Sequence, residues 1–146
     1  MSTPETISKP HQKNKTKHEL NAWNILKKKL ETEQDELNRY PRVGEVWVCA
    51  VGKNLGFEQN GSGTNFSRPT LVVKKFNNHM FWTIPLSTRQ KQFDFFYNFT
   101  DPKGEKVSAI IAQLKLMSIK RFERMIYEIP LLNMKEIMER LRSLLV

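Results

Sequence analysis

Apolar and polar positions change their rhythm twice along the 146-residue chain. Through residue 17 one large aliphatic, Ile7, stands among prolines, lysines and threonines. That is too little apolar surface to offset the entropy of ordering, so residues 1–17 are expected to be a disordered tail. From His18 to about Asn38 there is neither Gly nor Pro, and Leu20, Trp23, Leu26 (or Ile25) and Leu30 recur at helical spacing. This predicts one amphipathic helix within 18–40, with Lys27 to Lys29 in water. Such a helix either packs Trp23 on the rest of the protein or offers a docking or basic surface.

The helix is expected to give way near Tyr40-Pro41, because proline disfavours helical backbone in the residue before it. A strand rhythm follows. GEVWVCAV (44–51), PTLVVKKF (69–76), HMFWTIPL (79–86) and QFDFFYNF (92–99) are rich in β-branched and aromatic residues, the last alternating Phe93, Phe95 and Tyr97 or Phe96. Asn77-Asn78 between two apolar runs predicts a hairpin turn, since Asn tolerates positive φ. Asp101-Pro102-Lys103-Gly104 predicts another, followed by KVSAIIAQLKLMS as one long or broken strand. Helical spacing returns in Met134, Ile137, Met138, Leu141, Leu144 and Leu145, with Asn133 and Glu136 in the layout of a capping pair. The fold class read from this order is mainly β (α+β). It is a small, strongly bent sheet or barrel of five or so strands, with a C-terminal helix and an added N-terminal one over a 41–146 domain.

Charge sharpens the picture. Residues 41–146 carry sixteen Lys/Arg against nine Asp/Glu, a net of +7, whereas residues 1–40 reach only +2. A basic domain attracts polyanions, which favours nucleic acid or an acidic protein as partner. Cys49 has no second cysteine to bridge and falls inside a strand, so it reads as core. No apolar run reaches the roughly 20 residues of a membrane helix, and the polar start has no signal-peptide core. A cytoplasmic protein without membrane contact is expected. No Cys/His zinc spacing, Gly-Lys-Ser/Thr phosphate loop, Gly-x-Gly-x-x-Gly or His-Glu-x-x-His occurs, so neither metal nor cofactor is expected.

What remains is polar chemistry at strand ends: Glu58 and Gln59 in a Gly/Ser/Asn-rich loop, Arg68 entering the second strand, and Ser87, Thr88 and Arg89 leaving the third. If a hairpin turns at Asn77-Asn78, residues whose numbers sum to about 155 face each other, which sets Arg68 opposite Ser87. A guanidinium fork beside a hydroxyl suits a phosphate. On pairing alone, Arg68 is equally well a surface residue and Ser87-Thr88 a strand end.

Arg42-Val43-Gly44-Glu45-Val46-Trp47, Gly56-Phe57-Glu58-Gln59, Arg68-Pro69-Thr70-Leu71-Val72-Val73, Ile84-Pro85-Leu86-Ser87-Thr88 and Ala112-Gln113-Leu114-Lys115 follow one another in an order that resembles the PemK/MazF family of endoribonuclease toxins of type II toxin–antitoxin systems. The likeness covers about residues 40–146, and the Lys-rich helix Asn21 to Glu31 also has counterparts in some members. It implies an SH3-like small barrel of the CcdB/PemK/MazF type, usually dimeric. It also implies metal-independent cleavage of single-stranded RNA by attack of the 2′-hydroxyl, giving 2′,3′-cyclic phosphate and 5′-hydroxyl ends.

By that resemblance Arg68 matches the family's essential arginine, stabilising the transition state and able to protonate the leaving group. Ser87 stands where the family usually has Thr and keeps the hydroxyl. Glu58 is the candidate general base. Gln59, Thr88, Arg89 and Lys91, with Phe57 and Phe66, are the expected RNA contacts. Phe57, Phe66 and Phe93 flank the site as stacking candidates, although at least two of the three are expected in the core. The implied partners are single-stranded RNA, a second copy of the chain and a small acidic antitoxin with a disordered tail. Two departures stand out. The Gly56–Arg68 loop is longer than in short members and reads as a flap, and Ala112 replaces a residue that is an acid in some. The competing readings are a non-catalytic SH3-like module that binds RNA or protein, and a CcdB-like gyrase poison, which the missing Trp-Gly-Ile ending disfavours.

Overall fold

The computed structural model describes residues 10–33 and 38–146. Helix α1 (Pro10–Thr32) precedes strands β1 (Glu45–Ala50), β2 (Ser67–Lys75), β3 (Met80–Ser87), β4 (Phe96–Thr100), β5 (Lys106–Ile110), β6 (Lys115–Ser118) and β7 (Phe122–Glu128), and helix α2 (Leu131–Leu144) follows. The strands form one antiparallel sheet in the order β4-β5-β3-β2-β1-β7, with β6 added beside β3. Strand β3 is the pivot. Its first half pairs with β6 and its Leu86–Ser87 end pairs with β5, so the sheet bends sharply around it. The expected bent, mainly β fold with a helix at each end is the fold observed.

Two cores explain the apolar runs. In β2, Leu71 and Val73 face one core with Val46, Ile84 and Leu86, which Ile137 and Leu141 of α2 cover. Val72 faces the opposite core, with Trp47, Cys49, Phe81 and Phe122. A strand buried on both faces reads as an unbroken apolar run rather than an alternating one. Cys49 is fully buried, as expected. Among the described residues no helix is long and apolar enough to cross a membrane.

The hairpin register is the expected one from Thr70 to Val72, where Thr70 faces Pro85, Leu71 faces Ile84 and Val72 faces Thr83. The ladder stops there, so Arg68 and Ser87 are not the facing pair expected, and Ser87 faces Ser108 of β5 instead. Past Val72 a bulge shifts it, so that Lys74 faces Trp82. The turn differs from expectation. Neither Asn77 nor Asn78 has positive φ, because the Asn77 side chain supplies the turn: its Oδ1 accepts from the amides of His79 (2.8 Å) and Met80 (2.9 Å).

Other expectations need correction. Residues 10–17 are helical rather than disordered, with Pro10 as the first helical residue, where its missing N–H costs nothing. Residues 1–9 lie outside the described residues. The helix ends at Thr32, short of the expected Asn38, and residues 34–37 of that expected stretch also lie outside them. Ile25 is exposed, leaving Trp23, Leu26 and Leu30 as the packed face. The 92–99 strand starts only at Phe96, and Tyr97 and Phe99 are its buried pair. The segment 106–118 is broken by a single 3-10 turn at Ile111–Gln113. Strand β7 had no sequence signal, because FERMIYE mixes charges into a strand largely open to solvent on one side. Asn133 does not cap α2. Pro130 holds that position, and Asn133 Nδ2 donates to the Tyr97 hydroxyl (2.9 Å).

Two outcomes follow. Ile137→Ala empties a fully buried site and is expected to cost about 2–5 kcal/mol in urea unfolding. Burial pushes the Cys49 thiol above its ordinary 9.0, and burial, then the Asp101 and Glu105 carboxylates, push Tyr127 from 10.0 up to about 12. Both groups keep their protons better when folded. Their stabilisation is therefore complete below pH 9 and is lost as pH rises toward 12. The urea midpoint should fall across that window, and Tyr127→Phe should flatten its upper part.

Candidate active site

The site is built on the segment that joins β1 to β2. Its neck is closed by backbone: Gly52 N donates to Phe66 O (3.1 Å), Gly61 N to Gly52 O (2.8 Å), and Ser62 and Ser67 exchange bonds of 2.9 and 3.0 Å. Its interior is tied by Asn54, whose amide donates to Asn60 Oδ1 and whose Nδ2 donates to Gln59 O (2.6 Å). Gln113, from the 3-10 turn after β5, reaches across. Its Nε2 donates to Phe57 O (3.0 Å) and its Oε1 accepts from Gln59 N (3.4 Å). The segment read from composition as a flap is thus braced at its neck, interior and far side.

Arg68 emerges from this loop at the start of β2, opposite Cys49 of β1. Its Nε donates to Asn60 O (2.8 Å) and its Nη1 to Leu86 O (3.0 Å), which fixes the plane of the guanidinium. Two of its five N–H donors are thereby held by carbonyls, and the rest of the fork is left for a ligand. Among the described residues no carboxylate pairs with it. Burial, then the charge of Arg89, holds its pKa below the ordinary arginine value. A half-buried cation that is held by dipoles and faces another cation is relieved of both penalties by an incoming negative charge.

Ser87 ends β3 one residue beyond the Leu86 carbonyl that grips Arg68. Its Oγ accepts from Arg89 N (3.2 Å), which leaves the hydroxyl proton to donate. Glu58 is exposed, and its Oε1 accepts from Leu55 N (3.0 Å), so one carboxylate oxygen shapes the loop and the other faces solvent. One cavity of about 420 Å³ takes in Phe57, Glu58, Gln59, Arg68, Ser87, Thr88, Arg89 and Lys91 together. Of the residues expected to act on RNA or contact it, all but Phe66 line it, and Phe93, expected to flank the site, does not. A second cavity of about 350 Å³ opens on the far side of Arg68, Ser87 and Thr88, against Asp101, Glu105 and Tyr127. The Arg68–Ser87 pair therefore sits where the two hollows meet. Among the described residues no three His, Cys, Asp or Glu side chains gather to hold a metal.

Residues 42–145 match the model of the PemK-like, MazF-like toxin of type II toxin-antitoxin systems. The chain belongs to this family. Solved structures of similar fold include MazF from Deinococcus radiodurans, at 22% identity and TM-score 0.63, covering 74% of this chain and 98% of that one. The MazE-MazF complex from the same organism gives 19% identity and TM-score 0.59, covering 74% and 97%. An endoribonuclease in complex with its cognate antitoxin from Mycobacterial species gives 15% identity and TM-score 0.55, covering 72% and 94%. No curated protein matches. Helix α1 lies wholly outside the PemK/MazF match.

One site expectation fails. Phe66, taken as an RNA contact, is buried under Trp23 with ring centroids 5.8 Å apart, so no base can reach its face. Of the three flanking phenylalanines it alone is core. Phe57 is fully exposed, and Phe93 lies stacked on Phe95 at 5.2 Å, both open to solvent. Sequence reasoning missed the groups that hold the site, Asn60 and the Leu86 carbonyl. It also missed Phe96 in the cavity wall, and the bracing role of Gln113. Backbone acceptors leave no mark in a sequence, whereas an Asn eight positions before an Arg across a Gly-rich turn is a weak one. In a titration with inorganic phosphate, resonances of Arg68 and Ser87 are expected to shift saturably. Arg68→Ala should abolish this, and Arg68→Lys, which lacks the fork, should weaken it at least about tenfold.

Proposed function

We propose that this PemK/MazF-family toxin is a metal-independent endoribonuclease that cuts single-stranded RNA. The observation that carries the reading is the pinned, uncompensated Arg68 beside the Ser87 hydroxyl in a basic cavity. In the reaction the 2′-hydroxyl of one nucleotide attacks its own 3′-phosphate. The bond from phosphorus to the 5′-oxygen of the next nucleotide breaks, leaving a 2′,3′-cyclic phosphate and a 5′-hydroxyl. The charge that builds on the phosphorane is met by the Arg68 fork and the Ser87 O–H, both fixed before substrate arrives, which is where such groups contribute most. Glu58 takes the 2′-proton as general base, and Arg68 donates to the leaving oxygen. Arg89, Lys91 and Thr88 grip the neighbouring backbone, and Gln59 and Phe57 meet bases by hydrogen bonding and stacking.

The partners proposed with this activity are a second copy of the chain and a small acidic antitoxin whose tail lies in the same basic cavity. The antitoxin-bound similar structures and the domain's net charge of +7 support the latter. A second reading, RNA binding without cleavage, is favoured by one observation. Ala112, beside Gln113 in the adjacent hollow, supplies no acid.

The two readings part in one assay. Pure protein is incubated with a long single-stranded RNA in EDTA, and the new ends are mapped. Cleavage with 5′-hydroxyl ends is expected, reduced about 10²–10³-fold in Arg68→Ala, equivalent to roughly 2.7–4 kcal/mol of transition-state stabilisation. Ser87→Thr should retain activity and Ser87→Ala should lose most of it. Salt-sensitive binding with intact RNA would establish the second reading, and undiminished cleavage by Arg68→Ala would remove Arg68 from the chemistry.

A further inference from the structure

Helix α1 packs on the rest of the protein through Trp23, Leu26 and Leu30 and meets the Ile119–Arg121 turn, and Trp23 sits where the β1–β2 segment begins and ends. Trp23, which is buried, lies against Gly52, where the β1–β2 segment begins, and against Phe66, where it ends. Gly52 has φ 92, and a Cβ added to it would overlap the Trp23 indole, so the ring lies directly on backbone. Phe66 adopts a left-handed φ of 49, and its ring meets that of Trp23 edge to face. Arg121 completes the seat. Its guanidinium lies 5.6 Å from the Trp23 ring centroid while its Nη1 donates to Ala50 O (3.0 Å), the last residue of β1. One turn before Trp23, Glu19 pairs with Lys53 (3.0 Å), the residue after Gly52, and near the end of the helix Glu31 O accepts from Lys120 Nζ (2.7 Å).

A helix that merely covered an apolar patch would have no reason to gather both ends of a single loop. Phe66 and Gly52 are also joined to each other by Gly52 N–H to Phe66 O, so pressing on one fixes the other. Between these ends stand Glu58 and Asn60, and just past the second end stands Arg68, whose orientation depends on the Asn60 carbonyl. We propose that α1 is an internal strap that sets the shape of the β1–β2 segment, with Trp23 as the positioning residue for Glu58, Asn60 and Arg68. The reach of this proposal into catalysis rests on the endoribonuclease reading, whereas its mechanical part does not. Trp23 touches no substrate. It acts by holding Gly52 and Phe66 together, which keeps the acceptor of Arg68 in place.

The test is amide hydrogen exchange on the full chain, with RNA cleavage measured in parallel, for wild type, Trp23→Ala, Trp23→Phe and Leu26→Asp. The last loosens α1 without altering Trp23 or the loop. In Trp23→Ala and Leu26→Asp the amides of Gly52, Asn54 and Gly61 are expected to exchange at least tenfold faster, while those of the β2–β3 ladder keep the wild-type rate. Cleavage should lose kcat at least fivefold with KM nearly unchanged, and Trp23→Phe should restore most of both. Loop amides that stay at the wild-type rate would overturn the proposal. So would ladder amides that accelerate as much as the loop, since α1 would then be a general support. Unchanged kcat with a loosened loop would overturn the link to the reaction. A wild type that cleaves no RNA sinks the endoribonuclease reading instead, and the exchange rates still decide the strap.

Discussion

The geometry of the site depends on how one cation is held. Arg68 is gripped by two carbonyl oxygens, from Asn60 and Leu86, and by no carboxylate among the described residues. A salt bridge would have satisfied the guanidinium and spent its charge. Two neutral dipoles satisfy part of the fork and leave the charge in place. The fold has to bring those carbonyls from segments that are distant in sequence. The Leu86 carbonyl comes from β3 through the hairpin register, and the Asn60 carbonyl comes from the braced loop.

Much of the surrounding structure can be read as the means to that end. Strand β3 bends between two ladders, and at that bend Leu86 and Ser87 leave the β2 partner and take up β5. The bend thus frees a carbonyl and a hydroxyl at the point where Arg68 arrives. Gln113, placed by the 3-10 turn that interrupts the long apolar run after Lys106, ties down the far side of the loop. The break in the strand, which weakens the sheet locally, is what turns that side chain toward the site. Positive charge then accumulates around Arg68, with Arg89 and Lys91 in the same cavity against the single carboxylate of Glu58.

The sequence spoke clearly where local pattern and burial agree. The LVV of β2 and the Thr70–Pro85 register follow from apolar runs on either side of a polar turn, and they bring Arg68 to the same end of the hairpin as Ser87, although the two do not pair. The turn itself was misread, because the Asn77 side chain accepts two amide protons and so removes the need for positive φ. Strand β7 was silent, since a strand with one open face can carry Glu123, Arg124 and Glu128 without losing its ladder to β1. The fate of Phe66 was decided by tertiary packing. Nothing in NFSRP says that a tryptophan from a helix over forty positions earlier will cover it. The family resemblance supplied roles for Arg68, Ser87 and Glu58. It could not supply the carbonyls that hold Arg68, because every residue has one.

The proposed seating of an RNA phosphate between Arg68 and Ser87 is tested most directly with an uncleavable substrate. A single-stranded oligonucleotide with 2′-deoxy sugars cannot supply the attacking hydroxyl and so remains bound. In an NMR titration the Arg68 Nε–H, Ser87 and Thr88 signals are predicted to shift together and saturate at one stoichiometry, with Phe57 and Gln59 following. Binding that shifts the exposed Phe76 and Trp82 on the sheet face and leaves Arg68 unmoved would contradict the account.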